Sequence, residues 1–222
     1  MTILIGVDEA GRGPVIGPMV MCAFAIEAEK EQNLVNLEVK DSKLVPPPKR
    51  AILYDKLTEN YKFVMKVVEP QIVDDALNDP ELNLNWLEAL TSADICNELI
   101  KELDTDDIKI ILDCPSTNIE AYRNYFKNKL ENKNVQVIAE HKADFNYPVV
   151  SAASIIAKVT RDRAIWHLKR EYNVDFGSGY PSDPKTKEFL KKNFDKYDFF
   201  RKTWAAYKNA VKNAAQKSLG EY

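Results

Sequence analysis

Two acidic residues follow a buried-strand pattern near the start of the chain, within the segment 7–14 (VDEAGRGP). Asp8 and Glu9 end an apolar run, and a strand that ends in carboxylates supplies the hard oxygen ligands that divalent cations prefer. Gly11 and Gly13 follow, and glycines let backbone N–H groups approach a ligand that a Cβ atom would hold away. A cation beside close backbone contact is what an enzyme acting on a phosphate ester needs.

Two further carboxylates lie at comparable places in the sequence. Asp113 ends a second apolar run at 108–112 (IKIIL), and Asp144 lies just before a helix start that is rich in small residues. Carboxylates at the ends of neighbouring strands can converge on one point, and their mutual repulsion needs cations to neutralise it. The predicted site is therefore Asp8, Glu9, Asp113 and Asp144, and oxygen-only ligands favour Mg²⁺ or Mn²⁺ over Zn²⁺. Each acid taken alone could also be a surface or helix-capping carboxylate.

The adjacency of the first two carboxylates sets a structural condition. Side chains of neighbouring strand residues point to opposite faces of a sheet, so Asp8 and Glu9 share one site only if the strand ends or bulges there. The glycines at 11 and 13 are compatible with such a break. We therefore predict a first strand over 2–8 that ends at the acidic pair.

The elements that must position these side chains alternate between strands and helices. Strands are predicted over 2–8, 15–26, 61–68, 108–113 and 135–139, from apolar runs of strand length. Helices are predicted from the prolines at 46–48 to residue 57, over 84–103, after a cap at Thr117 or Asn118, over 149–172, and as two basic helices at the end. This order predicts an α/β fold with a mixed sheet flanked by helices.

The charge distribution of the chain is uneven. The formal net charge of the 222 residues is −3, yet residues 158–217 contain 15 Lys and Arg against 7 Asp and Glu. A basic C-terminal part suits a polyanion that docks on one face, although a solvated helical surface would have the same composition. We expect a catalytic core over 1–180, a helical subdomain over 181–215 and a tail over 216–222.

Cysteine usage and hydropathy exclude several classes of protein. The three cysteines are far apart and include no Cys-x-x-Cys, which argues against a disulfide framework or a zinc site. No signal peptide and no apolar run of membrane-spanning length is visible in the sequence, and this favours a cytoplasmic protein with no membrane partner. No Gly-x-x-x-x-Gly-Lys-Ser/Thr motif supports a kinase or other nucleotide-binding function.

Several motifs, taken in order, point to a known family. They are VDEAGRGP at 7–14, the Asp-Ser-Lys loop at 41–43, the strand that ends at Asp113, HKAD at 141–144, SAASIIAK at 151–158 and GSGYPSDP at 177–184. Together they closely resemble ribonuclease HII, the type 2 ribonuclease H, and most of all its archaeal branch. The similarity extends from residue 2 to about residue 200.

The resemblance implies a ribonuclease H-like fold with a C-terminal helical subdomain. It also implies an endonuclease that acts in DNA replication and repair. Such an enzyme cleaves the RNA strand of RNA–DNA hybrids and nicks at single ribonucleotides in duplex DNA. Its two-metal mechanism leaves 5′-phosphate and 3′-hydroxyl ends. Nothing in the sequence suggests an obligate dimer, so we expect a monomer.

The resemblance also assigns roles to individual residues. The four carboxylates Asp8, Glu9, Asp113 and Asp144 match catalytic metal ligands. Gly11, Arg12 and Gly13 match the segment whose backbone recognises the ribose 2′-OH, and Tyr180 matches the tyrosine at the junction from ribonucleotide to deoxyribonucleotide. Ser42, Lys43 and Lys158 fall in segments that resemble phosphate-contacting positions. The 2′-OH alone distinguishes the two sugars, so a detector must hydrogen-bond it at close range.

The last seven residues, 216–222, resemble the motif that binds the sliding clamp (PCNA). Gln216, Leu219 and Tyr222 have the spacing of that motif, although the chain stops after one aromatic residue where the pattern usually has two. A frayed polar terminus is the alternative.

Two other functions use parts of the same pattern. A transposase-like or Holliday-junction nuclease would also cluster carboxylates, but it would need neither the Gly-Arg-Gly segment nor Tyr180. A non-enzymatic clamp-binding or hybrid-binding module gains nothing from four carboxylates beside a phosphate backbone.

Overall fold

The computed structural model describes residues 1–40 and 42–219, except for the side chains of 217–219. The strands are β1 Ile3–Ala10, β2 Met19–Glu27, β3 Phe63–Val68, β4 Ile108–Asp113 and β5 Gln136–Glu140. The helices are α1 Glu31–Asn36, α2 Pro47–Asn60, α3 Pro70–Asn78, α4 Leu84–Lys101, α5 Ile119–Lys129, α6 Ala143–Asn146, α7 Pro148–Glu171, α8 Pro184–Asn193 and α9 Ala205–Leu219. Within these described residues, no helix is both long enough and apolar enough to cross a membrane.

The strands form one mixed sheet in the order β3-β2-β1-β4-β5. β1 pairs antiparallel with β2 and parallel with β4, and β4 pairs parallel with β5. The apolar runs of the sequence explain β1 and β4, which are buried over almost all their length. The α/β fold with a mixed, helix-flanked sheet is confirmed.

The chain divides into two compact units. The first comprises residues 1–10, 20–67 and 85–160, and the second comprises residues 11–19, 68–84 and 161–222. Both units are discontinuous in sequence, whereas the sequence predicts contiguous domains. The predicted domain boundaries at residues 180 and 215 stay a prediction.

The first unit contains nearly all of the sheet, and its core is an apolar cluster that includes β1, β2 and the start of α7. Gly6 in the middle of β1 is required by this packing. A Cβ atom at that position would lie 2.3 Å from the Val149 carbonyl oxygen, closer than any real contact. Glycine therefore lets α7 approach β1, the strand that carries Asp8.

The second unit is built around aromatic side chains. Phe176, Phe199 and Phe200 are buried together with Val15 and Ile16. Asp183 caps α8 by accepting a hydrogen bond from Lys185 N at 2.9 Å, and it also accepts from the backbone and the hydroxyl of Ser178. The loop GSGYPSDP is therefore tied to the start of α8.

Two predicted strand boundaries were wrong. β2 begins at Met19 rather than at residue 15, because Val15 and Gly17 pair with Gly179 and Phe199 of the second unit instead. β1 does not end at residue 8 but continues to Ala10. The helices α1 and α3 were not predicted, although Pro70 occupies the first turn of α3 as Pro47 does in α2.

Candidate functional site

An acidic cluster lies at one end of the sheet in the first unit. Asp8 and Asp113 follow paired positions of two parallel neighbours, since Val7 of β1 is opposite Leu112 of β4. Asp144 lies in the short helix α6, and its backbone oxygen accepts a hydrogen bond from Ser151 Oγ. Asp8 and Asp144 are only 5% and 6% exposed.

The charges of this cluster oppose one another. Burial raises the pKa of Asp8 well above its ordinary value, and the negative charges of Asp113 and Asp144 raise it further. The Ser154 hydroxyl and the Glu9 backbone N–H, at 2.7 Å from Asp8 Oδ1, act in the opposite direction. The carboxyl group of Asp8 is therefore buried from water beside two other acidic side chains, which disfavours its charged form.

Asp113 has more compensation. Burial raises the pKa of Asp113, while the Ala143 N–H, at 2.9 Å from Oδ1, and the charge of Lys43 lower it. His141 also lowers this pKa, and its Nδ1 lies 2.8 Å from the Cys114 carbonyl oxygen. Lys43, which the sequence predicts to contact phosphate, thus acts electrostatically on Asp113, a predicted metal ligand.

Glu9 belongs to a different environment. β1 runs straight through this position, with Asp8 opposite Cys22 and Glu9 opposite Met21, so the strand neither ends nor bulges between the two carboxylates. Burial raises the pKa of Tyr122 and of Cys114, and the charges of Glu9 and Glu88 raise both further. The charge of Asp113 also raises the pKa of Cys114. The structural condition for a shared site is not met, and the role of Glu9 as a metal ligand stays a prediction.

The donor chemistry of the cluster suits a hard divalent cation. All its ligating groups are carboxylate oxygens, and a cation would relieve the repulsion that raises the pKa of Asp8. Across residues 1–40 and 42–219, no three His, Cys, Asp or Glu side chains are already arranged so that they could hold a metal ion. The cluster thus suits Mg²⁺ or Mn²⁺ by the chemistry of its carboxylates.

The other predicted phosphate contacts occupy different environments. Ser42 is buried, and its hydroxyl is hydrogen-bonded to the hydroxyl of Ser154, with 3.0 Å between the two Oγ atoms, so it supports a residue that bonds to Asp8. Lys158 is half-buried on α7. Of these three residues, Lys43 has the clearest electrostatic connection to the acidic cluster.

The predicted ribose-reading segment lies in the second unit. Gly11 has a φ of +86°, a conformation that favours glycine, and a Cβ atom there would lie 2.4 Å from Arg161 Nε. A Cβ atom on Gly13 would lie 3.5 Å from Cε1 of Tyr180, so the tyrosine ring packs beside Gly13. Tyr180 itself is 40% exposed. The structure thus brings together two groups that the sequence assigns to sugar recognition.

Comparisons with known proteins concern the chain as a whole. The family model for ribonuclease HII matches residues 5–207. The chain belongs to the ribonuclease HII family. Ribonuclease HII of Methanocaldococcus jannaschii is 46% identical and covers 98% of both chains, and that of Pyrococcus abyssi is 43% identical over 90% of this chain and 87% of its own.

Solved structures agree with this family. Ribonuclease H2 from Pyrococcus horikoshii OT3 superposes with a TM-score of 0.84 at 39% identity, over 96% of this chain and 98% of that one. The RNase HII in a PCNA:RNase HII complex from Archaeoglobus fulgidus has a TM-score of 0.79 at 35% identity, over 91% and 95%. Bst-RNase HIII in complex with Mn²⁺, at 19% identity, shares the fold.

The predicted family and enzyme class are therefore confirmed. The protein is a metal-dependent ribonuclease H with endonuclease activity. The non-enzymatic binding module and the transposase-like nuclease are thereby excluded.

Three residues of the second unit that contact the segment 11–13 or Tyr180 were not predicted from the sequence. Arg161 is buried, its Cζ lies 5.6 Å from the Tyr180 ring centroid, and its Nε and Nη2 have no hydrogen-bond partner among the described residues. Burial lowers the pKa of Arg161. Arg201 and Trp204 contact the segment 11–13 through hydrogen bonds. Arg161 follows the largely apolar first half of α7, which was a visible signal, whereas no local pattern marks the other two.

Part of the predicted clamp-binding tail lies outside the described residues. Gln216 is exposed on α9. The side chain of Leu219 and the whole of Tyr222 are not described. The tail motif therefore stays a prediction.

Proposed function

We propose that this ribonuclease H nicks duplex DNA at single embedded ribonucleotides as well as cleaving the RNA strand of hybrids. Asp8, Glu9, Asp113 and Asp144 would hold Mg²⁺ or Mn²⁺, and Gly11, Arg12, Gly13 and Tyr180 would read the sugar. Lys43 and Lys158 would contact phosphates, with Ser42 supporting the acidic cluster through Ser154. The products carry 5′-phosphate and 3′-hydroxyl ends.

The packing of Tyr180 beside Gly13 is the observation that carries this proposal. A flat ring that packs beside a glycine, with Tyr180 Cε1 3.5 Å from the place a Cβ atom of Gly13 would take, can contact one sugar and its immediate neighbour. Recognition on that scale needs one 2′-OH, because the next sugar is read by its shape and stacking rather than by a second hydroxyl. A long RNA tract is therefore unnecessary for recognition.

The residues of the acidic cluster have a defined part in cleavage. Two bound cations would supply an activated water and would stabilise the leaving 3′-oxygen. Asp8 and Asp113 contribute the negative charge that draws cations to this end of the sheet, and burial strengthens that attraction. Burial raises the pKa of Asp113, and the charge of Lys43 acts against that rise.

The decisive test is cleavage of a labelled DNA duplex that contains one ribonucleotide, with Mg²⁺, with Mn²⁺ and with EDTA. We expect metal-dependent nicking 5′ to the ribonucleotide. Asp8→Asn should lower the rate by about 1000-fold, the equivalent of about 4 kcal/mol of transition-state stabilisation. Asp94→Asn, an exposed carboxylate paired with Lys66, is the matched control and should cleave normally. An intact duplex under both metals, with the hybrid still cleaved, would contradict the proposal.

A second proposal concerns a protein partner. The tail motif at Gln216, Leu219 and Tyr222 supports binding to a sliding clamp, as in the PCNA:RNase HII complex from Archaeoglobus fulgidus. Deletion of 216–222 should abolish clamp association and leave cleavage of free substrate unchanged. Equal clamp affinity with and without the tail would overturn this proposal. We also propose that the protein is a monomer and that it is located in the cytoplasm.

A further inference from the structure

Three successive backbone carbonyls of the Gly-Arg-Gly segment are each bound by a side chain from the end of the chain. Arg201 Nη2 donates to Gly11 O at 2.7 Å, and Nη1 donates to Arg12 O at 3.0 Å. Trp204 Nε1 donates to Gly13 O at 3.1 Å. All five residues belong to the second unit.

These bonds also fix the directions of backbone N–H groups. A carbonyl and the following N–H lie in one plane and point in opposite directions, so tying Arg12 O sets the direction of the Gly13 N–H. That N–H donates to no acceptor within residues 1–40 and 42–219. Trp204 in turn holds the Gly13 carbonyl, and with it the Gly13 backbone that packs beside Tyr180.

The side chains that provide these bonds are themselves held rigidly. Arg201 is fully buried, its Nε donates to Gly17 O at 3.0 Å, and its Cζ lies 4.9 Å from the Trp204 ring centroid. The buried carboxylate of Asp74 on α3 accepts hydrogen bonds from the backbone N–H groups of Lys202 and Thr203. The planar guanidinium fork is thus locked between fixed neighbours.

We propose that Arg201 and Trp204 are positioning residues that determine how strongly this enzyme distinguishes ribose from deoxyribose. They do so by orienting the backbone of 11–13, without contacting the substrate. The inference rests on the proposed function, in which that backbone reads the 2′-OH. A hydrogen bond to a single hydroxyl is sensitive to small displacements. Loss of the hydrogen bonds that hold the backbone of 11–13 therefore lowers the selectivity for ribose before it lowers the overall affinity for nucleic acid.

The test compares the affinities of two duplexes of one sequence, with and without a single ribonucleotide, by fluorescence anisotropy in EDTA. Trp204→Phe keeps an aromatic ring over Arg201 and removes only the donor to Gly13 O. We expect the preference for the ribonucleotide duplex to fall about fivefold, while affinity for the all-DNA duplex is unchanged. Trp166→Phe, at an exposed tryptophan that stacks on Arg170, should keep the full preference.

Arg201→Lys is a stronger change, because a lysine side chain cannot donate to two carbonyl oxygens with a planar fork. Thermal unfolding checks that this variant is folded. It should lose more of the preference than Trp204→Phe. An unchanged preference in Trp204→Phe, or equal loss of affinity for both duplexes, would overturn the inference. A wild-type enzyme with no preference for the ribonucleotide would instead contradict the proposed function, and the inference with it.

Discussion

Asp8 in the first unit and Arg201 in the second are both charged and almost wholly withdrawn from water, with exposures of 5% and 0%. Their surroundings differ in kind. Asp8 has two negatively charged neighbours, and its pKa is raised by burial and by Asp113. Arg201 donates to the carbonyl oxygens of Gly11, Arg12 and Gly17. One buried charge is repelled by its neighbours, and the other is satisfied.

The difference separates two uses of a buried charge. A satisfied charge holds backbone in place and contributes to the fold, although removing it leaves polar partners without donors. A repelled charge costs the fold free energy, and such a cost persists at sites where a ligand restores the balance. Burial alone therefore does not indicate function, whereas the signs of the neighbours do.

The largest expected effect comes from breaking the satisfied charge. Arg201→Met fills a similar volume but removes the donor to the carbonyl oxygens of Gly11, Arg12 and Gly17. We expect the free energy of unfolding to fall by about 3–5 kcal/mol, measured by urea denaturation. Arg163→Met, at an exposed arginine of α7, should change it by no more than about 0.5 kcal/mol. A small loss at Arg201 would remove the contrast between the two units.

A change of opposite sign is expected at the repelled charge. Asp8→Asn removes the negative charge and keeps the side-chain shape, so in EDTA it should stabilise the fold by about 1 kcal/mol. For a protein of this size, that is a rise in Tm of about 2–4 °C. The same variant loses activity, so stability and function change in opposite directions. A lower Tm than the wild type would show that Asp8 is a structural residue.

The smallest expected effect is a difference in how the contributions of Asp183 and Asp8 to stability depend on pH. The Ser178 N–H and hydroxyl lower the pKa of Asp183 to about 2, so its contribution to stability is present above the ordinary value of 3.8 and is lost as the pH falls towards 2. The pKa of Asp8 is raised by burial, so its unfavourable contribution at neutral pH disappears as the pH falls through that raised value.

Thermal unfolding in EDTA at several pH values tests these two signs. Asp183→Asn should slightly lower Tm at pH 7, and the difference from wild type should shrink as the pH falls below the ordinary pKa of 3.8 and be largely lost near pH 2. The stabilisation by Asp8→Asn should also shrink on acidification. A stabilisation by Asp8→Asn that is independent of pH would mean that its charge is not the cause.

The acidic cluster was predictable because its signals are local. An apolar run followed by Asp marks a strand end, and both β1 and β4 place their aspartates at the same end of the sheet. Asn118 caps α5 as predicted, by accepting from Ala121 N. The strand break between Asp8 and Glu9 was wrong because β1 pairs with β2 as far as Ala10, a long-range pairing that the glycines at 11 and 13 do not prevent.

The hydrogen bonds that Arg201 and Trp204 donate to the Gly-Arg-Gly segment were not predictable from one sequence. Arg201 and Trp204 lie in a stretch without a recognisable pattern, and their partners are distant along the chain. The predicted start of β2 failed for the same reason, since Val15 donates to Gly179 O and accepts from Arg201 N. Local periodicity contains no information about such partners.

The hydrogen bond from Arg201 to Gly11 joins residues 190 positions apart in the chain. During synthesis, Gly11 leaves the ribosome 190 residues before its partner. Closing so long a loop is a slow, late event in folding. We therefore expect the segment that selects the sugar to be among the last to become ordered, so that a nascent enzyme acquires its acidic cluster before its selectivity.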